Sequence, residues 1–389
     1  MRQETNKPQT IIILGAGLAG FRAAIDLADR LGRRNDIRLI LVDHQNHHIF
    51  SESLLDLVAT DRSSLEAGFS ISQALQNKPI EFWQDWVTEI NPINQTINLA
   101  KQGTVPYSYL VVGLGSTTRS VALPGLADHA WPIHSLTDVL QLRTSLDHHL
   151  KTNKTTKVIV GGGGPAGIEL AGALASPRRL KQGLELTIIE QNSQILSGYS
   201  RQLIAKVKAN FKTRSIELYP GHQITKIGSK RLTLASNHHL PFDFLIWAGG
   251  PQKANFSGKE HFTVNKVGQI TVNHYLQAQG YSRVYVVGDL AHQANDQQTT
   301  NSAVETAAEG AWAALNISRL IRNYKPLVFR PKHGRRLIQL NNQVGLLQIG
   351  STVLTVPAFR SVQLWRQLWY YATLTPFVQA WQLSFKKSG

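Results

Sequence analysis

The stretch IIILGAGLAG at residues 11–20 decides how this chain folds. Residues 11–14 are a short apolar run suited to a sheet buried on both faces. Gly15, Gly17 and Gly20 then turn the backbone. Residues 18–31 (LAGFRAAIDLADRL) repeat apolar side chains at helical spacing, and another apolar run follows at 37–42 (IRLILV). Strand, glycine turn, helix and strand make a βαβ unit, whose parallel strands need helices over the sheet. A glycine-rich turn alone is a weak sign of a ligand. Here it follows a strand and opens a helix, and Asp43 ends the next strand 28 residues after Gly15. The glycines permit a tight turn, close approach to a pyrophosphate and close helix–strand packing. The helix start offers free N–H groups and positive dipole to phosphate, and a carboxylate at Asp43 can accept hydrogen bonds from ribose hydroxyls.

The pattern recurs. Residues 157–160 (KVIV) lead into Gly162, Gly164 and Gly167, a helical segment at 168–175 (IELAGALA) and an apolar run at 184–190 (LELTIIE). Glu190 again stands 28 residues after the first glycine. Two such units predict an α/β chain with two Rossmann-like dinucleotide-binding domains. At the second site the Glu190 carboxylate repels a 2′-phosphate, and Gln191-Asn192-Ser193 supplies no cation to hold one, which favours NADH over NADPH. A third signal is the apolar run 284–287 closing on Gly288-Asp289. An acid leaving a buried strand beside a nucleotide site can fix a cofactor hydroxyl, although Gly-Asp is also an ordinary strand-ending turn.

Composition narrows the chemistry. The 389 residues contain no cysteine, which excludes a redox dithiol, a thiolate metal ligand and a disulfide. Electrons from a redox cofactor must therefore pass directly to the acceptor. No uncharged apolar run of transmembrane length occurs, and the start MRQETNKPQT resembles neither a signal peptide nor a transit peptide. The expectation is a body that stays in the cytoplasm and spans no bilayer. The histidine pairs His47-His48, His148-His149 and His238-His239 point their members in different directions and lack a spaced carboxylate partner, so surface positions and no metal site are expected. Trp83 and Trp86 are expected in core or interface.

The net charge of +16 is uneven. From Gly310 onward there are eleven Lys and Arg and no Asp or Glu. So one-sided a segment suits a polyanion, either a membrane surface or nucleic acid. From Phe359, Val362, Trp365, Leu368, Trp369 and Ala372 form a helical apolar stripe, with Arg360, Gln363, Arg366 and Gln367 on the other side. After Pro376 come Phe377, Trp381 and Phe385, then Lys386-Lys387. This reads as a pair of amphipathic helices lying on an anionic membrane. The rival reading packs the segment on the protein's own core or on a second copy in a homodimer. Nucleic acid is disfavoured, because no recognised binding module or aromatic-interleaved basic platform is present.

With these residues in view, the chain resembles the type II (non-proton-pumping) NADH dehydrogenases, monotopic flavoproteins that pass electrons from NADH through FAD to a quinone. The resemblance runs along nearly the whole length. It is carried by GAGLAG at 15–20, VDHQNHHIF at 42–50, LVVGLGSTT at 110–118, LPGLADHAWPIHSLTDVLQLR at 123–143, GGGPAGIELAG at 162–172, IWAGG at 246–250 and VYVVGDLA at 284–291. It implies an FAD-binding domain from residues 8–120 and 245–325, an inserted NADH-binding domain at 121–244, and a C-terminal region at 326–389. That last region holds a hairpin of 337–340 and 344–349, joined across Asn341-Asn342-Gln343, and then the membrane segment. FAD contacts are implied at the Gly15-Ala16-Gly17 turn, Gly20, Asp43 and Gly288-Asp289, and NADH contacts at Gly162, Gly164, Gly167 and Glu190. Glu169 matches a carboxylate near the flavin–nicotinamide junction; it also suits the helix start electrostatically. The implied location is the cytoplasmic face of the cell membrane, peripherally bound.

Two departures bear on the acceptor. Where the family reads Pro-Leu-Leu-Tyr, this chain reads Ser53-Leu54-Leu55-Asp56 with a one-residue insertion. Where the family's quinone-side helix carries Ala-Gln-x-Ala-x-Gln-Gln-Gly, residues 303–310 place Val304, Ala308 and Glu309 at the three glutamines. Aliphatic groups there change what a quinone carbonyl meets. A soluble flavin reductase with a protein acceptor, and a nucleotide-responsive flavoprotein without sustained turnover, remain as rivals.

Overall fold

The computed structural model describes residues 8–49, 54–55, 57–58, 68–117, 123–133, 135–250, 252–293, 303–330, 335–341 and 343–357. In chain order, the elements that position the sites begin with β1 (Gln9–Leu14), α1 (Leu18–Leu31), β2 (Ile37–Asp43), β3 (Glu81–Gln84) and β4 (Tyr109–Val112). Next come α2 (Leu136–Thr152), β5 (Thr156–Gly161), α3 (Pro165–Leu174), β6 (Leu184–Glu190), α4 (Arg201–Lys212), β7 (Ile216–Pro220) and β8 (Phe244–Trp247). The last are β9 (Val284–Val286), α5 (Ala303–Ile321), β10 (Arg335–Gln339), β11 (Val344–Ile349) and β12 (Thr352–Pro357).

Two parallel sheets organise the molecule. The first has the order β9-β4-β1-β2-β3 and the second β7-β6-β5-β8. Ile11, Ile12, Ile13 and Leu14 are wholly buried, as the unbroken apolar run requires of a strand covered on both faces. Helix α1 turns Phe21, Ala24, Leu27, Ala28 and Leu31 into that core and stops at Gly32, whose φ of +63° suits a residue without Cβ. Helix α5 lies against α1 so closely that a Cβ on Gly310 would come within 2.1 Å of the Ala19 carbonyl oxygen. Helix α2 starts on a capping box formed by Ser135 and Asp138.

The structure moves one boundary. β8 was expected to open the return to the first sheet at residue 245, but Phe244–Trp247 pairs in parallel with Val158–Gly161 in the second. An apolar run closing on glycine reads the same on either sheet, and only its hydrogen-bond partner separates the two.

Near the C-terminus the expected hairpin forms, with β10 starting at Arg335 and running antiparallel to β11. β12, which the sequence reading did not include, completes a three-stranded sheet. This sheet docks on the second body. Ile338, Leu340, Leu346 and Val353 join the core of α3 and α4, and Lys206 donates to the Val353 carbonyl at 3.0 Å. The amphipathic segment at 358–389 lies outside the described residues. Among the described residues no helix is long and apolar enough to cross a membrane.

Candidate functional site

Both glycine loops divide their work in the same way. Gly15 sits at φ +91°, and a Cβ there would come 2.3 Å from the Gly113 carbonyl oxygen; Gly162 sits at φ +118°, with Ala248 O at 2.6 Å. Side chains are excluded at both turns. The third glycines close the helix onto the loop, since Cβ atoms on Gly20 and Gly167 would fall 1.9 Å from the carbonyl oxygens of Gly15 and Gly162. The middle glycines differ. Around Gly17 and Gly164 an added Cβ meets nothing within 4 Å, so open space lies over both positions. Each is the N-cap of its helix and, as glycine, has no side chain of its own to cap the start. The N–H groups in the first turns of α1 and α3, which in α3 begin at Ala166 because Pro165 has none, lack an intrahelical acceptor. Such a helix start can hold an anionic bridge such as a pyrophosphate.

The acids sit where the spacing predicts, with a further task. Asp43 Oδ2 accepts the Ala16 N–H at 2.6 Å and Oδ1 the Gln45 N–H at 2.8 Å. Glu190 Oε2 accepts the Gly163 N–H at 2.7 Å, while Oε1 takes the Asn192 backbone and side-chain amides at 2.8 and 2.7 Å. Each acid therefore latches its own glycine loop. A carboxylate has about four acceptor positions, so both retain capacity for a ribose hydroxyl.

Behind the first loop lies a residue the sequence reading put on the surface. His48 is 2% exposed, with Nδ1 2.7 Å from the Ala16 carbonyl oxygen. Because a carbonyl only accepts, Nδ1 carries the proton. Its ring stacks on Phe69 with centroids 4.9 Å apart. Burial lowers its pKa to about 4, against smaller raising effects from Ala16 and Asp43, so the ring is neutral at pH 7. Neighbours on a strand face opposite sides, and His47 takes the exposed side. His148, His238 and His239 are exposed, and His149 is half-buried with Nδ1 3.0 Å from Thr156 Oγ1. Among the described residues, no three metal-ligating side chains converge.

Of the two tryptophans, Trp83 packs against the core as expected and Trp86 does not. Trp83 is half-buried under the Arg38 guanidinium, 5.2 Å from its ring centroid. Trp86 is 60% exposed and stacks on His44 at 4.1 Å, beside Asp43. This flat wall next to the acid went unseen in the sequence, because 42 residues separate its two rings.

At the end of β9, Gly288 has φ +72°, and Asp289 accepts the Ser116 hydroxyl at 2.8 Å with Lys253 Nζ at 3.9 Å. The three positions singled out on α5 do not share a face. Val304 and Ala308 are exposed on one side, one turn apart, whereas Glu309 lies 100° round the helix, 5% exposed. Its Oε2 accepts the Gly288 N–H at 2.5 Å. Glu169 turns toward the C-terminal sheet, where Oε1 accepts the Gln339 N–H at 2.8 Å. One turn along, a Cβ on Gly172 would meet the Leu340 carbonyl oxygen at 2.0 Å.

A family model of the pyridine nucleotide-disulphide oxidoreductases matches residues 9–310, which include both loops, both acids and the Gly288-Asp289 turn. The chain belongs to that family. It is an oxidoreductase with FAD as cofactor and NADH as reductant. Among pyridine nucleotide-disulphide oxidoreductases it is one whose sequence has no cysteine to form a disulphide. The chain is 26% identical over 324 residues to demethylphylloquinone reductase NdbB of Synechocystis, covering 79% of this chain and 77% of that protein. It is 23% identical over 387 residues to the type II NADH:quinone oxidoreductase of Haemophilus influenzae, covering 87% and 86%. In fold it is similar to NDH2 of Plasmodium falciparum in complex with NADH, with a TM-score of 0.81 at 17% identity over 98% of each chain. The sulfide:quinone oxidoreductase of Aquifex aeolicus also superposes with a TM-score of 0.81, at 17% identity over 98% of this chain and 96% of that one.

Proposed function

We propose that this protein is an NADH:quinone oxidoreductase that holds FAD on the first glycine loop and NADH on the second, and reduces a membrane quinone without pumping protons. The doubled cradle carries the reading: α1 and α3 each begin on a glycine with open space above it and no side chain of its own to cap the helix. On the first loop, Gly15, Ala16, Gly17 and Gly20 take the pyrophosphate of FAD and Asp43 a ribose hydroxyl. The Gly288-Asp289 turn lies against the first turn of α1, a Cβ on Gly288 coming 3.4 Å from Ala19 Cβ, and completes that site. On the second loop, Gly162, Gly164 and Gly167 take the pyrophosphate of NADH and Glu190 its ribose. The charge on Glu190 works against a 2′-phosphate.

FAD supplies the redox chemistry, accepting hydride from NADH and giving electrons to the quinone. The chain's own part is to bind and orient. His48 and the two acids stiffen the loops, so the dinucleotides meet donors already in place. Glu169, tied to Gln339, positions the C-terminal sheet beside α3. Quinone as acceptor is supported by the names of relatives that span most of the chain, and by the lack of any thiol to relay electrons elsewhere. Val304 and Ala308, exposed together on α5, form the aliphatic surface proposed for the quinone side. The basic, Trp-rich sequence of 359–387 suits contact with the cytoplasmic face of an anionic membrane.

Anaerobic reduction of the purified protein with NADH, followed by mixing with a soluble quinone analogue, tests this. Bleaching of the flavin and its recolouring by the quinone are expected. Failure to bleach overturns the donor site. Bleaching without recolouring overturns the quinone, and turnover restored by a redox protein would then mark a protein acceptor. Deleting 358–389 is expected to release the protein from anionic vesicles while leaving NADH reduction of the flavin intact.

A further inference from the structure

We propose that Glu309 is a buried acid that sets the flavin's redox potential by gaining or losing its own proton. The proposal rests on FAD occupying the first glycine loop. Glu309 touches the turn assigned to that cofactor and is held there from two sides. Its Oε2 accepts the Gly288 N–H at 2.5 Å. The next residue, Gly310, lies against the Ala19 carbonyl at the start of α1, so the helix that carries the acid cannot pivot away. A Cβ on Gly288 would meet Ala19 Cβ at 3.4 Å and Thr306 Cγ2 at 3.5 Å.

Among the described residues the charged surroundings are few. On its own helix Glu305, 4% exposed, lies one turn earlier, and the turn at the end of β9 contributes Asp289. Asp289 is engaged by the Ser116 hydroxyl and stands 3.9 Å from Lys253 Nζ. The opposing first turn of α1, Leu18 to Phe21, carries no ionisable side chain. Burial first, then Glu305 and Asp289, push the Glu309 pKa up to about 8, against the lowering effect of the Gly288 N–H. At neutral pH the carboxyl therefore holds its proton and is uncharged, and its carbonyl oxygen still accepts from Gly288. As pH rises, the proton leaves to solvent and a negative charge remains in a site of low dielectric. That charge opposes the arrival of electrons on a cofactor beside it.

The test is an anaerobic spectroelectrochemical titration of the FAD-loaded protein and of Glu309→Gln, from about pH 6 to pH 10. The two are expected to share one midpoint potential at the acid end. At the alkaline end the wild type is expected to fall below the variant by at least a tenfold change in the ratio of reduced to oxidised flavin, about 30 mV for a two-electron couple. Curves that coincide throughout, or stay separated by a constant amount, overturn the proposal. A protein that binds no FAD overturns this proposal and the assignment of the first loop; bound FAD with coincident curves overturns only this one. Should Glu309→Gln not fold, the wild type decides alone. Its reduced-minus-oxidised infrared spectrum must contain a perturbed protonated-carboxyl band near pH 7 that vanishes near pH 10. Absence of that band near pH 7 refutes the proposal.

Discussion

Replacing Gly172 by alanine tests how the C-terminal sheet is held. The new methyl would stand 2.0 Å from the Leu340 carbonyl oxygen, whereas ordinary contact begins at 3.4 Å, so the sheet must retreat by about 1.4 Å. Such a retreat breaks the 2.8 Å bond from the Gln339 N–H to Glu169, and a hydrogen bond to a charged group is worth about 1.5–3 kcal/mol. It also loosens Ile338 and Leu340, now 1% and 0% exposed; losing roughly half of the burial of each costs about 2–3 kcal/mol in all. Alanine returns up to about 1 kcal/mol as the better helix former. The net cost of about 3–4 kcal/mol falls on docking of the sheet, and each 1.4 kcal/mol is tenfold in its equilibrium. Hydrogen exchange of the β10 and β11 amides is therefore expected to speed up by two to three orders of magnitude in Gly172→Ala. The amides of β5 serve as an internal control. Unchanged exchange in β10 and β11 would show that the close approach does not hold the sheet.

The two loops give a matched pair of substitutions. Gly164→Ala projects into open space and is expected to fold with its flavin while weakening NADH at least tenfold by equilibrium titration; Gly167→Ala, 1.9 Å from Gly162 O, is expected to yield little folded protein. A pH series of urea unfolding separates two buried groups. His48, lowered from 6.5 to about 4, withholds a proton that the unfolded chain takes up, so its contribution is lost as pH falls from about 6.5 to about 4, by at most about 3 kcal/mol. Glu309, raised from 4.5 to about 8, works the other way. Its contribution is full below about pH 4.5 and lost as pH rises to about 8, by at most about 5 kcal/mol. Between about pH 4.5 and 6.5 the two slopes cancel, leaving a plateau followed by a fall toward pH 8. Glu309→Gln is expected to abolish that fall, and a fall that persists in the variant would assign it to another group.

What could be read from the chain was local chemistry. The roles of Gly15, Gly17 and Gly20, repeated at Gly162, Gly164 and Gly167, depend on φ and on space beside the Cα, and both are encoded within a few residues of the turn. The acid at a fixed interval belongs to the same unit, because the βαβ path brings the end of the second strand beside the first loop. What the acids bind first was not legible, since a loop N–H leaves no trace in residue type. Sheet membership of β8 depended on a partner far away in sequence, as did docking of β10 on α3, where the bonded residues Glu169 and Gln339 lie 170 apart.

The surface placement of His48 had a different origin, because periodicity alone would have corrected it. His47 and His48 alternate across a strand, so one of them must turn inward if the strand is half-buried. Val304 and Ala308 share a helical face that Glu309 cannot, since neighbours on a helix diverge by 100°. The motif's letters at 304, 308 and 309 do not carry this difference of face. The distinction matters most at Glu309. Exchange of glutamine for glutamate on an exposed helical face changes little beyond surface charge. With the same exchange 5% exposed, against the Gly288 N–H and near Glu305 and Asp289, it introduces a proton whose release costs the fold and, if the flavin lies where the first loop directs it, shifts the cofactor as well.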